Sequence, residues 1–461
     1  IMNVLGGEIK ISKNDGTSTY GEIISISESP LWHRVLWVGT DDGNVQVSKD
    51  GGKNWTEVSI NIPDLPSGSY VSRVLASGRK RSSAYATFDR HREGDWKPYV
   101  YRTDDYGKSW VKLTNGLPLG SVNVIIEHPD ESSVLILGTE HAVFVSFNSG
   151  ENWVNFQSNL PTTLYDDMLI HPREKDLVLG THGRSFWVLD DTTPLAEWRH
   201  AAGKPVHVFS VSPASLFEYW KDTSYRAQEE WAGENRHYGA IISFVVNANI
   251  DSAVVTIKRR KDEIVRRYNV AVEKGVIQRM VWDLKHSPPS FKKSDKKTEG
   301  LVKPKPEDIL PRPAQNLDPE GPSVSPGVYT VSVMAGDHYS EQSIRVSPDP
   351  LLNIKVGDYR QREKFLLKVM AIYEATYALN ENLKSEIDIL KKSLDEEDEK
   401  LKAVQAKQKK VNGIRTGAMR LAGDLEGRGV RQGSFFPPTK THLDRFFRLK
   451  KSWKEIMNNQ D

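Results

Sequence analysis

Ser48-Lys49-Asp50-Gly51-Gly52-Lys53-Asn54-Trp55, Thr103-Asp104-Asp105-Tyr106-Gly107-Lys108-Ser109-Trp110 and Ser146-Phe147-Asn148-Ser149-Gly150-Glu151-Asn152-Trp153 are three copies of one pattern. Each runs Ser or Thr, a spacer, Asp or Asn, a spacer, Gly, two spacers and Trp. That is the chemistry of a tight turn after a strand. The Asp or Asn side chain bonds backbone N–H groups of the turn, and Gly supplies a positive φ. The indole is then placed to pack between neighbouring units. Ser48, Asp50, Gly52, Trp55, Thr103, Asp105, Gly107, Trp110, Ser146, Asn148, Gly150 and Trp153 are therefore read as structural.

Outward from these turns a second signature recurs. It is a short apolar strand ending in Gly-Thr: Leu36-Trp37-Val38-Gly39-Thr40, Leu135-Ile136-Leu137-Gly138-Thr139 and Leu177-Val178-Leu179-Gly180-Thr181. Ile126-Glu127-His128-Pro129 and Leu169-Ile170-His171-Pro172 precede the last two. Each unit thus holds four short strands with a period of roughly 40–55 residues, the spacing of four-stranded propeller blades. Continuous apolar inner strands fit sheets covered on both faces.

The expected fold class is mainly β: an incomplete β-propeller over 1–192, an aromatic strap over 193–238, an Ig-like β-sandwich over 239–350, and a helical hairpin with a terminal helix over 351–461. The strap reading rests on Phe217, Tyr219, Trp220, Tyr225 and Trp231 in an irregular stretch from Trp198 to Arg236. Sandwich strands are expected at Ala240–Val246, Ala253–Lys258, Gln278–Asp283, Gly327–Met334 and Ser343–Val346, with 287–325 a long exposed loop rich in Lys, Pro and Asp. In the tail, Asp358 reads as an N-cap. Phe365, Leu366, Val369, Met370, Tyr373, Tyr377 and Leu383 then form a buried stripe at 3/4 spacing. A second helix is expected to begin near Leu394 and a last one to run from about Leu443 to Ile456, after a break at Gly433–Pro438.

The repeats resemble the large bacterial proteins of the Asp-box (BNR) family, labelled sortilin-like or glycosyl-hydrolase-like. Tyr20-Gly21-Glu22-Ile23, Val38-Gly39-Thr40-Asp41-Asp42-Gly43, Lys97-Pro98-Tyr99-Val100-Tyr101, the run from His171 to Arg184, Trp187-Val188-Leu189-Asp190-Asp191, Gly233-Glu234-Asn235 and Pro326-Gly327-Val328-Tyr329-Thr330 carry the likeness. It implies further blades N-terminal to Ile1 or on another chain, and an extracellular, periplasmic or cell-envelope location.

Composition narrows the function. The chain has 461 residues with 63 basic and 61 acidic side chains, a formal net charge of +2, and no Cys. Thiol catalysis, disulfides and Cys-ligated metals are excluded. The charge balance gives no reason to expect nucleic acid, and no stretch is apolar enough to span a membrane. No metal or cofactor motif is present, and neither is assigned.

Chemistry, if present, belongs on the face opposite the repeat turns, where second-to-third-strand turns and inter-blade loops gather. Asp41, Asp42 and Glu140 are the candidate acid and base for glycoside hydrolysis. Arg73, Arg90, His91, Asp166, His182 and Arg184 are candidate ligand-binding residues. Arg92, His141 and Asp167 lie among them. The leading expectation is a binding scaffold for polysaccharide or protein. The alternatives are a glycoside hydrolase and a structural subunit of an envelope assembly.

Overall fold

The computed structural model describes residues 2–4, 7–9, 21–217, 237–260, 263–289, 320–393, 395, 398–427 and 433–458. The chain divides into two compact units, Ile1–His200 and Ala201–Asp461.

After a small hairpin of β1 (Met2–Val4) and β2 (Gly7–Ile9), the first unit is built from four antiparallel sheets. Blade 1 is β3 (Ile23–Glu28), β4 (Leu36–Thr40), β5 (Val45–Ser48) and β6 (Thr56–Glu57). Blade 2 is β7 (Tyr70–Ala76), β8 (Ala84–Asp89), β9 (Tyr99–Thr103) and β10 (Val111–Lys112). Blade 3 is β11 (Val122–Glu127), β12 (Leu135–Thr139), β13 (Val143–Ser146) and β14 (Val154–Asn155). Blade 4 is β15 (Tyr165–Ile170), β16 (Leu177–Thr181) and β17 (Phe186–Leu189). Strand order in every sheet is the order in sequence. All four first strands carry a register shift at the same place, between Ile23 and Ser25, Val71 and Arg73, Val122 and Val124, and Tyr165 and Asp167. A repeated bulge bends each inner strand and re-aims its side chains.

The three repeat turns are chemically alike. The hydroxyls of Ser48, Thr103 and Ser146 donate to Asp50, Asp105 and Asn148 (2.8–2.9 Å) and accept from the N–H of Gly52, Gly107 and Gly150 (2.8–2.9 Å). The same Asp or Asn oxygen accepts, at 3.0 Å, the N–H of Asn54, Ser109 and Asn152. Backbone N–H donation from Asn54 holds Asp50 down to about 2. In Asp105 some desolvation opposes the shift, yet the Ser109 bonds still leave its carboxyl below the ordinary value.

What differs between the turns is their neighbour. Trp110 is buried against Trp37 of blade 1, with ring centroids 6.1 Å apart. Trp153 is buried and donates to the Leu113 carbonyl after blade 2 (2.9 Å). Each indole thus packs on the preceding blade. Trp55 is 38% exposed and its indole turns back to Gly52 O (3.0 Å). The glycines follow the same rule. A Cβ on Gly107 would stand 2.5 Å from Val58, and one on Gly150 would stand 2.7 Å from Leu113, whereas one on Gly52 would meet only its own blade, no closer than 3.7 Å.

In the second unit, helix α1 (Thr193–Ala201), spanning the boundary, leads to a three-stranded sheet. It comprises β18 (Val206–Val208), β20 (Ala240–Val246) and β23 (Ile277–Trp282) in the order β18-β20-β23. The facing sheet is β19 (Ala214–Ser215), β25 (His338–Ser347), β24 (Gly327–Ala335), β21 (Ser252–Arg260) and β22 (Glu263–Ala271), in that order, with β19 parallel to β25. One apolar core, including Phe244, Trp282, Val331 and Ile344, joins the two sheets. The five expected strands are present, and β22 is an addition. Its Arg266 and Arg267 hide the strand in sequence, yet Tyr268 and Val270 alternate inward and Val265 joins the same core.

Two expectations need correction here. The stretch 193–217 is a helix and two paired strands rather than an irregular strap, because its apolar residues Val206, Val208, Ala214 and Leu216 complete the core. The aromatic residues Tyr219, Trp220, Tyr225 and Trp231, and Gly233-Glu234-Asn235, lie outside the described residues. The end of the expected exposed loop, Ser323–Ser325, is buried, because Ser323 bridges to Lys285 and Ser325 bonds Glu363.

The helices are α2 (Val356–Leu390), α3 (Glu399–Glu426) and α4 (Lys440–Asn458). The stripe Phe365, Leu366, Val369, Met370, Tyr373 packs against Ile414, Ala418, Leu421 and Leu425. Asp358 does not cap α2. Lys355 holds the cap position, and Asp358 sits in the first turn, where its charge still favours the helix dipole. The cap of α3 is Asp398, which accepts from Lys400 N (2.8 Å) and Leu401 N (3.4 Å), so the helix starts later than Leu394. Among the described residues, no helix is long and apolar enough to cross a membrane.

Candidate functional site

The turns joining second to third strands lie at the opposite end of each sheet from the repeat turns. Strand antiparallelism dictates this. Asp41, Asp42, Glu140, His182 and Arg184 all fall in these turns. Arg90 and His91 fall in the longer β8–β9 loop.

The three candidate acids are engaged by their own blades. Asp41 Oδ1 accepts from Gly21 N (2.8 Å) and Glu22 N (2.9 Å), fastening the chain that enters β3. Glu140 Oε1 does the same for Ser121 N at the entry to β11 (3.2 Å). Asp42 accepts from the Thr40 hydroxyl and from Asn44 Nδ2 (3.0 Å to both oxygens). The residue after Gly-Thr thus latches the incoming strand, and the carboxylate at that position has a structural partner.

Arg73, Asp166 and Asp167 do not lie in inter-blade loops. They stand instead inside β7 and β15, at the bulge that turns the inner strands. The bulge brings Arg73 of blade 2 to Asp167 of blade 4, Nη2 to Oδ1 at 2.7 Å. Asp166 lies beside His182 at 3.4 Å, both well exposed. Arg184 is held as part of its turn: its N–H bonds Thr181, and its carbonyl accepts the Trp187 indole (2.9 Å).

The β8–β9 loop of blade 2 is the most organised feature on this rim. Arg90 bonds Ser69 Oγ (3.0 Å) and pairs with Asp95 (3.5 Å). Asp95 also accepts from Tyr99 OH (2.7 Å) and Lys97 N (3.2 Å). The Tyr99 hydroxyl is the main cause holding the Asp95 carboxyl below its ordinary value. Burial first, then the Asp95 carboxylate, pushes Tyr99 up to about 12. Asp89 grips His91 twice, through its backbone N–H (2.9 Å) and ring Nδ1 (2.5 Å).

On this frame Trp96 is 46% exposed. Its ring lies 6.2 Å from that of His91, tilted by 32°. Its carbonyl accepts from Gly120 N (2.7 Å), and a side chain at Gly120 would stand 3.6 Å from both Glu140 and His141. Arg92 lies over the Tyr70 ring at 5.4 Å. The loop thus presents an indole face beside the His91 ring, next to Glu140 and His141 of blade 3. An aromatic face bordered by a few fixed polar groups suits a ligand with one apolar and one hydroxyl-rich side.

Arg90, His91 and Glu140 are candidates already in the sequence, which did not single out Trp96. The signal was available: Trp96 is a Trp outside the repeat position, in a loop of charged residues. Among the described residues, no group of three or more His, Asp or Glu is placed to hold a metal ion.

Residues 98–201 match the family model described as Sortilin-Vps10, "Sortilin, neurotensin receptor 3". No curated protein matches the chain. Among solved structures it is similar to "YCF48 bound to D1 peptide" at 18% identity, covering 36% of this chain and 51% of that one with a TM-score of 0.28. It is similar to the GH74 enzyme of Niastella koreensis at 11% identity, covering 72% of this chain and 48% of that one with a TM-score of 0.31. YCF48 from Cyanidioschyzon merolae matches at 14% identity, covering 57% and 80% with a TM-score of 0.25. The chain spans about half the length of the first two structures.

Proposed function

We propose, from the premise that this chain is a sortilin-like β-propeller protein, that it is an extracellular or cell-envelope binding scaffold that takes a saccharide on the rim of blades 2 and 3. The observation that carries the reading is Trp96, a half-exposed indole on a loop fixed by Asp95 and Arg90 rather than a side chain on a loose tip. A pyranose ring stacks its apolar face on the indole while its hydroxyls reach the neighbouring His91 ring. A binding role is favoured over hydrolysis because Asp41, Asp42 and Glu140 already accept hydrogen bonds within their own blades.

The scaffold is completed by further blades, N-terminal or on another chain. Supporting this, both end blades carry apolar side chains that no described neighbour covers. They are Ile23, Ile26 and Trp55 on blade 1, and Leu169, Phe186 and Val188 on blade 4.

The test is calorimetry or a glycan array with a panel of neutral and acidic oligosaccharides, using the chain joined to its remaining blades. Binding that falls at least about tenfold in Trp96→Ala, with an unchanged melting temperature, supports the reading. Binding indifferent to Trp96 and His91, or no binding across the panel, ends it.

A further inference from the structure

The near-neutral charge of the whole chain conceals a polarity. Residues 399–461 hold 15 basic and 6 acidic side chains, a surplus of nine, which leaves the preceding 398 residues with a deficit of seven. Much of that surplus lies on α4, where Lys440, Arg445, Arg448, Lys450, Lys451 and Lys454 face only Asp444 and Glu455 as acids.

Phe446, Leu449, Trp453 and Ile456 of α4 pack onto the α2–α3 core, and Gly417 of α3 leaves room for Leu449. Arg445 is tied to Asp424 (2.5 Å). About a quarter-turn round the helix runs a second stripe: Leu443, Phe447, Lys450, Lys454 and Met457, at steps of four and three. Nothing described covers it. Phe447 is 69% exposed, Leu443 and Met457 are exposed, and Phe436 adds another open aromatic ring just before the helix. Among the described residues no ion pair joins Lys450, Lys451 or Lys454 to a carboxylate.

We propose that this stripe seats α4 on an anionic lipid bilayer, parallel to its surface, with Phe447, Leu443 and Met457 below the headgroups and the lysines snorkelling to them. Charge complementarity selects the occupant. A helix with lysines interleaved among apolar side chains binds where anionic headgroups lie above hydrocarbon. A nucleic acid or acidic polymer would use the lysines and leave the apolar side chains without a role. Four apolar side chains also fall well short of the roughly 800 Å² per partner of a stable protein interface. The inference is independent of the saccharide site.

The experiment is co-sedimentation of the full chain with vesicles of phosphatidylcholine alone or with about one-third phosphatidylglycerol. The expected result is binding only to the anionic vesicles, weakening as salt shortens the Debye length. Lys450→Glu and Lys454→Glu should each weaken it by about fivefold or more, and Phe447→Ser should weaken it with no change in melting temperature. Two results overturn the proposal. One is no preference for anionic vesicles. The other is binding that Phe447→Ser and Leu443→Ser leave intact while soluble polyglutamate or DNA competes it away, which makes the site a polyanion or protein surface.

Discussion

At the scale of single residues, the repeat turn separates local from inter-blade contributions. Gly52 and Gly150 share a positive φ, 87° and 89°, so an alanine at either carries the left-handed penalty of about 1–2 kcal/mol. Only at Gly150 does the new Cβ strike a neighbouring blade, at Leu113. Gly150→Ala should therefore destabilise by about 2–4 kcal/mol, and Gly52→Ala by about 1–2, read from denaturant melts. Equal losses would mean that the turns do not pack blade on blade. His128 gives a second residue-level test. It is buried, bonds Thr192 Oγ1 (3.0 Å), and burial lowers its pKa from the ordinary 6.5. A depressed imidazole pKa stabilises the fold fully above 6.5, and that contribution drains away as pH falls. A melt of the first unit should soften below that value, and His128→Gln should flatten the slope there.

At the scale of elements, α2 is fastened to the two-sheet core by one carboxylate. Glu363 is buried and bonds His286 Nε2 (2.5 Å), Ser325 N (3.2 Å), the Ser325 hydroxyl and the Arg259 guanidinium. Burial alone would raise its pKa, but the bonds from His286, Ser325 and Arg259 outweigh it and hold the group at about 2. Removing the charge leaves Arg259 facing a neutral amide. Glu363→Gln should cost roughly 2–4 kcal/mol, below the fully buried case because Arg259 is 23% exposed. Acid should act likewise: with a depressed folded pKa, this contribution is present above the ordinary 4.5 and lost as pH falls towards 2. Loss of α2 protection from hydrogen exchange across that window, absent in Glu363→Gln, is the measurement. A window displaced to neutral pH would overturn the assignment to Glu363.

At the scale of the whole molecule, the four blades follow one rule of contact, and the rule runs out at both ends. Phe186, 77% exposed, and Val188 sit on an edge strand, paired with β16 but with no strand on its outer side among the described residues. Open apolar edges associate. The isolated chain should show concentration-dependent self-association in sedimentation velocity, and Phe186→Lys with Val188→Lys should reduce it without lowering the melting temperature. A chain that stays monomeric at high concentration contradicts the proposal that further blades cover these faces.

The repeat turns were legible in the sequence because their bonds join residues two to four positions apart, as from Ser48 to Asp50 and from Gly52 to Ser48. Local chemistry writes itself into a short pattern, and so does the helix stripe on α2, set by 3.6 residues per turn. The bulge that pairs Arg73 with Asp167, 94 positions away, has no such trace. Neither does the Glu363 hub, whose partners lie 104, 77 and 38 positions off. Stacked four-stranded sheets pinned by an Asp or Asn and an indole could be read from residue order alone. Which indole stays exposed and which carboxylates are already engaged emerged from the folded chain. Exposure and long-range pairing depend on what the rest of the chain brings alongside.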